Sequence, residues 1–224
     1  MVGYNPSIVT SGLILCLDAA NARSYPGSGT TWTDISGNGN NGVLTNGPTF
    51  SSSNAGAISF NGSSNYTQLP SLSLASNFTI EFWFKFSAYG GAWTGVVSNA
   101  YTQYGVTIEL NSAGYIILYT SSNGTSWTNT CTSASVLSTN TWYHYCGTAD
   151  SGTAKIYLNG SQSGSNGTSA TPIYNSTFSS PFIGKYANTG FYNGLISGLK
   201  IYNIRLTADQ VLQNFNALRG RYGI

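Results

Sequence analysis

Charge is what this chain has least of. It carries eight basic and six acidic side chains among 224 residues. Charged residues are thus 6% of the chain, where an average soluble protein has about 25%. Apolar content is ordinary at 41%, so this is not a disordered polyelectrolyte. The surface must instead be built from Ser, Thr, Asn, Gly and Tyr, which repel neighbours weakly and offer neutral hydrogen-bonding groups. A net charge of +2 gives no clustered basic face able to displace counterions from phosphate. Lys200, Arg205, Arg219 and Arg221 do lie near the C-terminus, where the last two suit a helix end. No nucleic-acid partner is expected.

Other absences narrow the field further. Cys16, Cys131 and Cys146 are an odd set without short spacing, which is neither a disulfide framework nor a zinc pattern. They read as small buried hydrophobes, and a bridge between any one pair stays open. His144 is the single histidine, and no G-x-S-x-G elbow supplies a nucleophile beside it. No apolar run approaches the ~20 residues of a membrane span, so no membrane insertion is expected. Met1 to Gly12 has neither the basic start nor the apolar stretch of a signal peptide, so no export signal is expected.

What is present is strand pattern. Phe78, Ile80, Phe82, Phe84 and Phe86 alternate with Thr79, Glu81, Trp83 and Lys85, which predicts a strand with one face in the core and a wetter one outside. Val106, Ile108 and Leu110 repeat the pattern with Thr107 and Glu109 outward. So do Ala154, Ile156 and Leu158, with Lys155 and Tyr157 outward. Further strands are predicted at 13–19, within 57–70, and at 115–120, 141–148, 182–186 and 194–202. Asn159-Gly160 predicts a hairpin turn, since both residues tolerate positive φ. One helix, about 207–219, closes the chain. Thr207-Ala-Asp-Gln210 has the form of a capping box, with Leu206 and Val211 at the staple positions. Val211, Leu212, Phe215 and Leu218 form an apolar stripe, and Gly220 is placed to end the helix. No linker or repeat divides the chain, so residues 1–224 are expected to form a single domain.

These residues resemble a known family. Asp34-Ile-Ser-Gly-Asn-Gly-Asn-Asn-Gly42 is similar to the opening of laminin-G-like, concanavalin A-like domains. Ile58-Ser-Phe-Asn-Gly62 resembles their F-D-G strand end. Trp142-Tyr-His144 with Lys155-Ile-Tyr-Leu-Asn-Gly160 resembles their W-x-H and Y-x-N-G hairpin. Ile183-Gly184, Tyr192-Asn-Gly194 to Tyr202 and Leu206-Thr207 resemble their closing strand and helix start. The resemblance covers nearly the whole chain. It implies an all-β fold: a two-sheet antiparallel jelly-roll sandwich with one short C-terminal helix. Two positions depart from the family: Asn61 and Ser197 stand where an acidic residue is common. Calcium needs six to eight oxygens, and a site here would have to use Asp34 or Asp150 with amides and carbonyls. No metal site or cofactor is therefore assigned, with calcium left open.

The glucanases of this fold place acids at alternate positions of one strand, E-x-D-x-x-E. Here Glu81 is followed at alternate positions by Trp83 and Lys85, neither of them acidic. Glu81 and Glu109 are left to meet across strands or, as favoured, to pair with Lys85, Lys155 or Lys200. The expectation is therefore no enzyme. The opening Gly12-Leu-Ile-Leu-Cys-Leu-Asp-Ala-Ala-Asn21 and the closing 213–224 segment are similar to virion proteins of tailed bacteriophages. With the neutral surface, this leads to the expectation of a virion structural protein, located in the virion as capsid decoration or tail-fibre component. Its partners would be copies of itself and other virion proteins. The alternative is a carbohydrate-binding lectin-type adhesion module that takes host-surface glycans; a glycoside hydrolase is the second. Trp93, Tyr101, Trp127, Tyr186 and Tyr192 lie outside obvious core positions and are the candidate sugar-binding or interface aromatics, with interface or packing favoured.

Overall fold

A computed structural model describes residues 7–224 apart from 75, 90, 92, 100–104, 128, 151, 172, 174–176 and 188. Two antiparallel sheets face one another. At the centre of the first lies Phe78–Phe86, between Tyr143–Asp150 and Asn193–Tyr202. Thr153–Leu158 and Ser161–Gln162 extend one side. The other side is shared, because Asn193–Tyr202 is ten residues long. Its first half pairs with Ala57–Asn61 and its second half with Leu13–Asp18. The handover falls at a bulge around Ser197, whose buried hydroxyl donates to the Gly56 carbonyl at 2.7 Å.

The second sheet runs Asn129–Thr132, Ile116–Thr120, Val106–Asn111, Trp93–Ser98, Phe182–Ile183, Tyr66–Gln68, Gly42–Thr45 and Thr31–Trp32. The predicted 182–186 strand is therefore two pieces. Gly184, at φ 83°, turns the chain out of this sheet, and Lys185–Tyr186 pairs with Gly190–Phe191 as a separate hairpin. A Cβ at Gly184 would stand 2.7 Å from the Phe60 ring.

The core between the sheets follows the alternation. Phe78, Ile80, Phe82, Phe84 and Phe86 all enter it, with Val106, Ile108, Leu110, Ala154 and Ile156. Phe82 stacks on Tyr145 with ring centroids 4.6 Å apart. The Asn159-Gly160 turn forms with φ of 50° and 79°, joining Leu158 to Ser161.

The outer face of Phe78–Phe86 departs from expectation. Thr79, Glu81 and Trp83 are as buried as the core residues, because the helix Ala208–Leu218 and the chain ends lie over them. Thr107, Glu109 and Tyr157 are buried as well, and Lys155 is half-buried. The capping box is formed: the Gln210 amide donates to Thr207 Oγ1 at 3.3 Å, and the Thr207 amide to Gln210 Oε1 at 2.9 Å. Leu206 and Val211 are both buried beside it. The predicted stripe is wrong at one position. Leu212 is 43% exposed, while Asn214 is fully buried because its amide is tied into a polar network. Gly220 does not end the helix by a left-handed turn. The helix passes into a 3-10 turn at Arg219–Arg221, and the positive φ comes at Gly223. Among the described residues no helix is long and apolar enough to cross a membrane.

Candidate functional site

Two faces turn outward from the sandwich, and each holds one buried glutamate. On the first sheet, Glu81 sits under the helix. Its Oε1 accepts from Lys200 Nζ at 2.8 Å and its Oε2 from Asn214 Nδ2 at 2.7 Å. Asn214 also donates to the Tyr202 hydroxyl at 3.0 Å and accepts from the Val9 amide at 2.7 Å, and Tyr202 donates to the Val9 carbonyl at 3.1 Å. One carboxylate thus fastens the helix and the N-terminal segment to the sheet. His144 Nε2 is 3.6 Å from Glu81, beyond hydrogen-bond reach, and packs against Trp83 and Phe215. Trp83 in turn stacks on Tyr222 at 3.9 Å. Burial works against ionising Glu81, but the Lys200 ammonium beside it holds its carboxyl well below the usual range. Burial works against charging Lys200 too, and Glu81 more than offsets it, so its pKa is raised. Of the predicted Lys partners for Glu81, Lys200 is the right one.

On the second sheet Glu109 has no such partner. It is 2% exposed, makes no ion pair among the described residues, and its Oε1 makes no hydrogen bond. Burial pushes its carboxyl up to about 7. The predicted pairing with lysine fails because Lys85 and Lys200 belong to the other sheet, as does Lys155, and the nearest ammonium on this side is engaged elsewhere. Lys185 Nζ lies 4.5 Å from the ring centres of both Tyr66 and Phe182 and 5.9 Å from that of Phe191. Its pKa is lowered by burial.

Register places Glu109 opposite Ile117 and Thr107 opposite Tyr119, so Glu109 and Tyr119 share the outer face as diagonal neighbours. Trp93, paired with Asn111, is on the same face. Trp93 meets Tyr119 edge-on at 6.3 Å, and Tyr119 meets Trp127 at 5.6 Å. Tyr186, whose pKa is raised by burial first, also feels the charge of Glu109. Tyr119 is raised to about 12, by burial first and then by Glu109 and Tyr186. The Lys185–Phe191 hairpin carries Tyr186 into this group by lying directly on the Trp93–Ser98 strand. It fits there because residue 95 is glycine: a Cβ would run into the Lys185 carbonyl. The Ser98 hydroxyl donates to that same carbonyl.

Of the five candidate aromatics, three therefore converge. Trp93 is 51% exposed, and Trp127 and Tyr186 are half-buried beside it. Tyr192 does not join them. It is fully buried in the core and packs edge-on against Phe60 at 6.2 Å, because the chain turns inward after the hairpin. Tyr101 lies outside the described residues. Tyr119 and Glu109 were missed as members of the group. Part of the signal was available: Glu109 sits at an outward position of an alternating strand and Tyr119 lies in the predicted 115–120 strand, but cross-strand register is needed to bring them to Trp93.

The carboxylates considered for calcium are each occupied by donors. Asp34 accepts from the amides of Cys16, Ser36 and Asn40 and from the Ser36 hydroxyl. Asp150 is paired with Arg205. The three cysteines are buried and unbridged, and burial raises the thiol pKa of each.

A sequence model of the concanavalin A-like lectin/glucanases superfamily matches residues 61–212, and the chain belongs to that superfamily. No curated protein matches it by sequence. Among solved structures it is similar to domain 4 of AbnA, an extracellular arabinanase from Geobacillus stearothermophilus, in complex with arabinotriose. That likeness has TM-score 0.72 at 20% identity, over 91% of this chain and 98% of that one. It is also similar to a botulinum neurotoxin type C structure, from a protein dependent on two ganglioside molecules for reaching the inside of cells. There the TM-score is 0.72 at 17% identity, over 94% of this chain and 52% of that one. Trypanosoma rangeli sialidase gives TM-score 0.69 at 14% identity, over 96% of this chain and 34% of that one. The chain thus spans about half the neurotoxin structure and a third of the sialidase. At these identities the likeness shows the fold.

Proposed function

We propose that this is a non-catalytic glycan-binding domain whose site is the aromatic platform of Trp93, Tyr119, Trp127 and Tyr186. The observation that carries the reading is a half-exposed tryptophan in ring contact with Tyr119, which in turn meets Trp127, with Tyr186 carried over the same strand by the hairpin. Sugars present C–H faces that stack on such rings, while the surrounding Thr, Ser and Asn side chains bond their hydroxyls. That similar folds have been seen with arabinotriose, or depend on gangliosides, agrees with this reading. The non-catalytic part is supported by the acids. Glycoside hydrolysis needs two carboxyls within about 5–9.5 Å across the bond to be cut. Glu81 and Glu109 point outward from opposite sheets of a sandwich whose layers pack about 10 Å apart. A glycan array followed by calorimetry tests the proposal. Trp93→Ala should weaken binding about tenfold or more, as expected for losing one central aromatic contact, with no turnover of any bound sugar. Unchanged binding, or hydrolysis that is lost in Glu109→Gln, would overturn it.

A second reading, a structural protein of a tailed-phage virion, is supported by how little charge reaches the surface. Glu81 and Lys200 are buried together, Glu109 and Lys185 are buried apart, and Asp18–Arg221 and Asp150–Arg205 are paired. Only Arg23, Asp209 and Arg219 are exposed among the described charged residues. Contacts between copies would then rest on aromatic and neutral polar groups, and salt screening would hardly touch them. Such copies should stay on their particle through a molar-salt wash; wholesale release would count against this reading.

A further inference from the structure

The platform has a property that stacking on neutral sugars does not use. Its rings lie beside a buried carboxylate that has no cationic partner among the described residues. Glu109 lies on the strand between those that carry Trp93 and Tyr119. Both Tyr119 and Tyr186 feel its charge. The one ammonium on the covering hairpin, that of Lys185, is held instead among Tyr66, Phe182 and Phe191. The faces of aromatic rings are themselves electron-rich, and a cation within about 6 Å of a ring centre is drawn to them, most strongly to tryptophan. In a buried setting the field of a carboxylate also reaches further than it would in water. A positive group resting on these rings would gain from both without touching Glu109.

We infer that the platform prefers glycans bearing a positively charged amine over their neutral, acylated counterparts, with Glu109 as the residue that sets the preference. This rests on the platform's being a glycan site. It names the class of sugar, and it assigns Glu109 a role through charge alone.

The test uses two probes of equal length, an oligomer of N,N,N-trimethylglucosamine, whose charge does not titrate, and one of N-acetylglucosamine. Calorimetry with the full chain compares them at pH 8 and pH 5.5. At pH 8 Glu109 is ionised and at pH 5.5 it is protonated, since its carboxyl titrates at about 7. Burial keeps the two neighbouring phenols, Tyr119 and Tyr186, neutral at both, the Trp93–Ser98 strand presents no titratable group, and Lys185 faces its own ring cage. The cationic probe should bind about tenfold more tightly than the acetylated one at pH 8, the scale of a desolvated cation–π contact. The preference should shrink, and to the same extent, at pH 5.5 and in Glu109→Gln, since each removes the charge and leaves the rings. Equal affinities, or a preference indifferent to both pH and Glu109→Gln, would overturn the inference and leave a neutral-glycan platform standing. Binding of neither probe would also overturn it, and the glycan array then decides the platform separately. Should Glu109→Gln fail to fold, the pH comparison on the unaltered protein still decides.

Discussion

Glu81 and Glu109 begin alike. Each sits at an outward position of an alternating strand, each is essentially buried, at 0% and 2% exposure, and each belongs to the outer face of one sheet. Their surroundings have opposite consequences. Around Glu81 the neighbouring strand brings Lys200 and, at one remove, Tyr202, and the helix brings Asn214, so the charge is balanced and its pKa falls. Around Glu109 a two-stranded hairpin and aromatic rings exclude water without supplying a cation, so its pKa rises. The difference separates two uses of a buried acid. The first fastens elements together, and the second leaves an unanswered charge beside a surface that is open to a ligand.

The largest expected effect tests the first half of that contrast. Glu81→Gln leaves Lys200 buried without its partner and should destabilise the protein by about 3–5 kcal/mol, read from urea unfolding. A loss below 1 kcal/mol would mean that the network does not hold the helix. The next tests the second half, with the opposite sign. A carboxyl whose titration is raised from 4.5 to about 7 by folding binds its proton more tightly in the folded state. Stability therefore falls as pH rises through that window and stays lower above it. Between pH 4.5 and 8 the fall should be about 3 kcal/mol, and Glu109→Gln should remove it, making the variant the more stable protein at pH 8. An unchanged pH profile would show that Glu109 is solvated or paired. Thr207→Ala comes third. It removes the cap of the helix that covers Glu81 and should cost about 0.5–2 kcal/mol, with no effect on glycan binding at the other face. The smallest is Trp93→Ala, which should move stability by no more than about 0.5 kcal/mol because half the side chain is already in water. A larger loss would make Trp93 a packing residue rather than a platform.

Much of the first half of this comparison was legible residue by residue. The aromatic alternation from Phe78 to Phe86 assigned the core face correctly, because side chains on a strand can only point two ways. The Thr207–Gln210 box and the Asn159-Gly160 turn were legible for the same reason: their chemistry is local, made and satisfied within four residues. The helix stripe was legible except where Asn214 replaces Leu212 on the buried side. An apolar pattern cannot foresee an amide buried for its hydrogen bonds to Glu81 and Tyr202. Tyr192 was misjudged because exposure of a loop aromatic depends on which way the chain turns after it.

By itself, then, the sequence determined the alternating strands at 78–86, 106–110 and 154–158 and the face of each that enters the core, where the helix starts, and how little charge the chain carries. Tertiary structure alone decided what lies over each outer face. Two strands with the same pattern look the same until a helix settles on one and a hairpin on the other. The coverings come from far along the chain, Asn214 to Glu81 and Tyr186 to Glu109, and nothing in the local pattern of either strand encodes which will arrive. Strand pairing gives Glu81 its lysine, Lys200 on the neighbouring strand, and the helix adds Asn214, while the hairpin leaves Glu109 beside aromatic rings.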